Sequence, residues 1–149
     1  MAIPEKTTAH EKISIYNQEI DFDFLHTIEV KEWLVQIALD RDKTISSLEY
    51  ILCSDEYLLD INKNYLDHDT YTDIITFPMQ ESPLEATIYI SIERVRENAE
   101  IYSTSLIKEL HRVMVHGLLH LLGYKDKTEN DQSEMRSQED KALAARAFV

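Results

Sequence analysis

One cysteine, two glycines, three prolines and a single tryptophan in 149 residues narrow the possibilities before any motif is read. Cys53 cannot close an internal disulfide, and it lies in the apolar run YILC, where a thiol behaves as a small buried hydrophobe. So little Gly and Pro leaves scant room for linkers or low-complexity arms, and no internal repeat is visible. No apolar run reaches the roughly 18 to 20 residues that a membrane helix requires. The opening MAIPEKTTAHEK lacks the apolar centre of a secretory leader. Together these absences suggest a reducing, cytoplasmic setting. Basic charge is scarce as well: 15 Lys and Arg against 28 Asp and Glu leave a net charge of −13, which argues against a generic nucleic-acid binder. The deficit is uneven. Residues 1–85 hold 18 acidic and 6 basic side chains, net −12, whereas residues 86–149 hold 10 and 9, net −1. A polyanion must therefore meet the second half.

What is present fits one globular domain over residues 1–149, with 44% hydrophobic and 29% charged residues and enough length for a sizeable core. Strand character, rich in Ile, Tyr and Thr, marks residues 12–17, 47–54, 73–79 and 86–92. In the last run Ile88, Ile90 and Ile92 alternate with Thr87, Tyr89 and Ser91, the pattern of a half-buried strand. Helical spacing fills FLHTIEVKEWLVQIALDRD between the first two runs, and Ser54 is placed to cap a helix over DEYLLDINKNYL. SIERVRENAEIY reads as a helix, and SLIKELHRVMVHGLLHLLGY as a longer one that is apolar nearly all round from Val113 to Leu122 and stopped by Gly123. A last amphipathic helix spans about 131–147, with Thr128 or Asn130 as its cap. The expected fold is α+β: a small mixed four-stranded sheet packed with helices around a central, metal-bearing helix.

Chemistry concentrates in HGLLHLLGYKD, residues 116–126. His116 and His120, four apart, share one helix face and can aim imidazole nitrogens at a single ion. Gly123 then turns the chain back, and Asp126 is the first ionisable oxygen able to complete a set of three. A fourth position open to water makes such a site catalytic rather than structural. Position 117 is Gly, so the glutamate base of HExxH metalloproteases is missing.

HGLLHLLGY, preceded by ELHRVMV and followed by Met135 and Glu139, resembles the signature of the YbeY-type rRNA maturation factors, metal-dependent endoribonucleases of bacteria. A second block, INKNYLDHDTYTDIITFP (61–78), is similar to that family's Asn-x-x-Tyr segment followed by Thr-Asp-x-x-x-Phe-Pro. The resemblance implies one zinc ion per chain, single-stranded or ribosomal RNA as substrate, small-subunit rRNA 3′-end processing and ribosome quality control as the process, and the ribosome or a ribosomal protein as partner. It also implies a third histidine ligand where this chain has Asp126. A carboxylate binds zinc at about the distance of an imidazole but adds negative charge, so weaker or differently selective metal binding is expected, with nickel, cobalt or iron also suited. The family's Arg after the Tyr of the first block is Leu66 here, and the Lys that commonly follows is His68, so the RNA contact must use other groups.

His111 and Arg112, one turn before His116, are the candidates to assist the phosphate. Asn62, Tyr65, Thr72 and Asp73 of the first block are candidates for substrate binding, Tyr65 by stacking a base, although Thr72 and Asp73 equally suit a turn fixed by side-chain hydrogen bonds. An ion held here can polarise a phosphoryl oxygen or activate water, and RNA brings its own 2′-hydroxyl. Two other functions compete: a ribosome assembly factor with a purely structural metal, and a metal hydrolase of peptides or small esters.

Overall fold

A computed structural model describes residues 9–149; the reading of the opening twelve residues as leader-free falls in part on residues 1–8, outside the described residues. Among the described residues the order of strands and α-helices is β1 (Ile13–Gln18), α1 (Thr27–Leu39), β2 (Ile45–Cys53), α2 (Asp55–Leu66), β3 (Ile74–Gln80), β4 (Leu84–Ser91), α3 (Ile92–Ile101), α4 (Leu106–Leu121) and α5 (Glu129–Ala144). The sheet has the order β1-β2-β4-β3. β1, β2 and β4 run parallel, with Tyr50 opposite both Ile15 and Ile88, while β3 closes one edge antiparallel to β4. The result is the expected mixed four-stranded α+β arrangement.

Serine sets two of the strand-to-helix junctions. Ser54 Oγ accepts from the Tyr57 N–H at 3.1 Å and Ser91 Oγ from the Arg94 N–H at 3.1 Å, each satisfying an orphan donor of the first turn. Ile92 therefore belongs to α3, not to the strand that its alternation suggested. Nor is β4 half-buried. It lies between β2 and β3, so Ile88 and Ile90 are wholly enclosed, and Thr87 and Ser91 on the other face are buried as well.

One face of the sheet carries the main core. Leu110, Val113, Met114, Leu118 and Leu119 of α4 meet Leu48, Tyr50, Ile88 and Ile90, with Trp33 and Leu34 of α1 and Met135 of α5 in the same cluster. The Tyr50 hydroxyl donates to the Met114 carbonyl at 2.8 Å, tying the sheet to the helix. Gly117 marks the closest approach: a Cβ there would lie 2.7 Å from Ile74 Cδ1 and 3.2 Å from Ile88 Cδ1. The opposite face bears a smaller cluster in which Leu58 and Ile61 of α2 cover Cys53 and Ile75. Burial, with Asp55 and Glu93 nearby, pushes the Cys53 thiol up to about 12, so it packs and does not react.

Candidate metal centre

His116 and His120 stand one turn apart on the outward side of α4, their rings 4.6 Å apart and nearly perpendicular. Leu122 ends the helix and Gly123, with φ of 107°, reverses the chain. The Gly123 N–H donates to the His120 carbonyl at 3.1 Å and the Tyr124 N–H to the Leu119 carbonyl at 3.0 Å, the paired closure that a left-handed glycine permits. That turn carries Asp126 back over the helix. Gln132 Nε2 donates to the Asp126 carbonyl at 3.1 Å, and Thr128 opens α5 with a reciprocal capping box to Asp131, so the segment is pinned at both ends.

One carboxylate oxygen serves both rings: Asp126 Oδ2 lies 3.2 Å from His120 Nε2 and 3.6 Å from His116 Nε2. The donor atoms of all three side chains fall within 4.8 Å of one another. Ligands at about 2.1 Å from a tetrahedral ion stand roughly 3.4 Å apart along each edge, which these two separations bracket. Two imidazole nitrogens and one carboxylate form a donor set suited to zinc and its borderline neighbours.

α5 supplies what holds the set in place. Glu139, 5% exposed, accepts from His116 Nδ1 at 2.7 Å, which leaves Nε2 as the free ligand nitrogen. Its other oxygen accepts from Arg112 Nη1 at 3.0 Å, and Arg112 Nη2 reaches Asp140 at 3.0 Å. A carboxylate behind a ligand histidine fixes the ring's tautomer and raises its basicity. Burial opposes a charge on His116, yet the hydrogen bond and charge of Glu139, with Asp126 and Asp73, outweigh it and raise its pKa above the ordinary imidazole value. Two clefts meet here. One of about 720 Å³ runs along α4 and α5 past Arg112, and one of about 420 Å³ opens toward Thr72 and Thr76; both are lined by His116, Asp126 and Asp73. Burial raises the Asp73 carboxyl above the usual range against the pull of His116, and Asn98 Nδ2 donates to it at 3.3 Å.

The sequence candidates divide between this cluster and the rest of the fold. His116, His120 and Asp126 converge, Arg112 stands behind them, and Thr72 and Asp73 border the clefts. His111 goes elsewhere: 2% exposed, it packs between Trp33 and Phe148 and accepts from Arg146 Nη1 at 2.9 Å. Five residues from His116 is about 140° round a helix, so only Arg112, four away, shares the ligand face. Asn62 is buried and donates to the Thr70 carbonyl at 2.8 Å, bracing the loop that leads to Thr72. Tyr65, 74% exposed, stacks edge-on with Phe77 on the α2 side of the sheet, away from the histidines. Glu139 was noted in the sequence only as an acid after Met135; the signal available was a carboxylate on the apolar stripe of α5, four residues from Met135 and three from Ala142.

Comparison with known proteins follows the same lines. Residues 8–147 match the family model described as Endoribonuclease YbeY. Endoribonuclease YbeY of Cytophaga hutchinsonii is 46% identical over 93% of this chain and 98% of its own length. The protein of the same name from Porphyromonas gingivalis is 39% identical over 89% of this chain and 88% of its own. Among solved structures, the solution structure of TM1509 from Thermotoga maritima superposes with a TM-score of 0.62 at 26% identity, covering 88% of this chain and 86% of that one.

Proposed function

The chain belongs to the YbeY family of endoribonucleases, and from that premise we propose that it cuts single-stranded RNA at the His116–His120–Asp126 cluster, with one zinc ion held there. Its place of action in this reading is the cytoplasm, in maturation of the small-subunit rRNA 3′ end and in ribosome quality control. A ribosomal protein is the natural partner, since the acidic first half of the chain offers charge complementary to a basic surface. The observation that carries the proposal is the single Asp126 oxygen set at ligand-edge distance from both imidazoles.

His116, His120 and Asp126 would hold the zinc, which when bound would supply Lewis-acid polarisation of a phosphoryl oxygen. The chain's own groups do the rest. Glu139 holds the proton of His116 at Nδ1, and Arg112 holds Glu139. Asp73, at the meeting of the two clefts with its carboxyl raised by burial, is suited to take a proton from the attacking hydroxyl. A peptidase gains no support: position 117 is Gly, so the glutamate that such chemistry needs is missing, and even a Cβ there would oblige the Ile74 side chain to shift.

The test is cleavage of an unstructured RNA by metal-loaded protein and by His120→Ala, with metal content and melting temperature measured alongside. Loss of cleavage and of zinc with the fold retained supports a catalytic ion. Loss of fold with no cleavage by either protein refutes it in favour of a structural metal in an assembly factor.

A further inference from the structure

A phosphate-binding cation is needed near the cluster, and neither sequence candidate is free to provide it. His111 is buried among aromatic rings, and Arg112 is bridged to both Glu139 and Asp140. The larger cleft carries two other cations, Lys108 on α4 and Arg136 on α5, both exposed. Among the described residues neither side chain makes an ion pair or a hydrogen bond, although the charge of Arg136 is felt at Glu109.

Their positions are regular. Lys108, Arg112 and His116 recur every four residues and form one stripe along α4, and Arg136 precedes Glu139 by one turn on α5. The rise of a helix puts Lys108 about 12 Å along the axis from His116. A stacked strand advances roughly 3.4 Å per nucleotide and an extended one more, so Lys108 meets a phosphate about two to three nucleotides from the one at the cluster. At the far end, on the turn between α3 and α4, the Tyr102 ring is 65% exposed and lines the same cleft. The smaller cleft on the other side of the cluster gives the strand its continuation, since both share His116, Asp126 and Asp73.

We infer that Lys108 and Arg136 form the phosphate clamp of the groove, gripping the RNA backbone about two to three nucleotides from the scissile phosphate, and that Tyr102 stacks a base beyond them. The assignment rests on the endoribonuclease reading and gives that activity a footprint.

The experiment compares wild type with Lys108→Gln, Arg136→Gln and Tyr102→Ala, all zinc-loaded, on an unstructured RNA of about ten nucleotides, a length within single-strand site sizes. A second substrate reaches only about one nucleotide to either side of the cut, too short to arrive at Lys108. Each cation variant is expected to raise KM whatever the sequence, and to flatten the dependence of log KM on log salt by about 0.7, one phosphate contact. Tyr102→Ala raises KM by about ten-fold with the salt slope kept. The penalties fall on KM rather than kcat, vanish on the short substrate and leave zinc content unchanged. Lys31→Gln, on α1 outside the groove, shifts nothing. Unchanged KM and slope in the cation variants on the long strand overturn the clamp. Should the loaded protein cut no RNA, the endoribonuclease reading fails first. Fluorescence anisotropy of the same strand then decides the groove: a flattened salt slope in the variants upholds it, while an equal slope, or no binding, removes it.

Discussion

Glu139 is the point at which His116, the neighbouring Arg112 and α5 depend on one side chain. Replacing it with glutamine keeps the size and leaves Oε1 able to accept from Arg112, but the amide nitrogen cannot accept the His116 Nδ1 proton now held at 2.7 Å. His116 is then free to turn or to change tautomer, and its Nε2 is no longer fixed as the ligand atom. Removing a carboxylate behind a metal-binding histidine typically lowers metal affinity 10- to 100-fold, about 1.4 to 2.7 kcal/mol. Glu139→Ala goes further. It leaves Arg112 with only the more exposed Asp140 and removes one tie between α4 and α5, so stability falls by about 3 kcal/mol as well, the lower end of what breaking a buried pair costs. Zinc affinity measured against a competing chelator, with denaturant unfolding of the metal-free protein, separates the two effects. Glutamine should weaken zinc with little loss of stability, and alanine should lower both. If glutamine leaves zinc affinity within two-fold, below about 0.4 kcal/mol, the His116–Glu139 bond does not organise the site.

Three further outcomes are expected. Gly117→Glu recreates a metalloprotease spacing but yields no peptidase; it displaces the Ile74 and Ile88 side chains and lowers stability by about 1 to 3 kcal/mol in a thermal or denaturant melt. Asp126→His removes one negative charge from the donor set and should tighten zinc, so an affinity equal to or weaker than that of wild type in the chelator competition contradicts Asp126 as the third ligand. Burial, with the charges of Arg146 and His26, lowers the His111 pKa to about 4, so the folded protein holds this ring neutral. Its contribution is complete above the unfolded value near 6.5, is lost as pH falls from there to about 4, and amounts to about 3 kcal/mol. Unfolding free energies measured across that window should show this loss in wild type and a flatter curve in His111→Gln.

Much of this architecture can be read directly from residue type and spacing. Ser54 caps α2 where its position before DEYLLDINKNYL indicates, because a serine hydroxyl satisfies a first-turn N–H wherever the chain enters a helix from extended backbone. Gly123 stops α4 for an equally local reason, its positive φ. The last helix runs Glu129–Ala144 rather than 131–147 because Thr128, not Asn130, forms the capping box. The cluster of His116, His120 and Asp126, which could hold a metal, is legible because two of its members lie on one helix and the third follows six residues later. Misreadings arise where angle or tertiary packing decides. Alternation alone cannot show that β4 is covered on both faces, and nearness in sequence brought His111 into the site although its angle on the helix takes it into the core. Glu139 lies beyond local inference, since its partners are 23 and 27 residues away.

The descent of both Glu139 and the Asp126 turn from late segments has a consequence during synthesis. A nascent chain that has exposed α4 but not yet α5 displays both histidines without the brace that orients one of them. Because a domain folds as a unit, such a chain has the two histidines but not yet the ordered cluster. The His116 brace is therefore complete only once residue 139 has been made and α5 has docked.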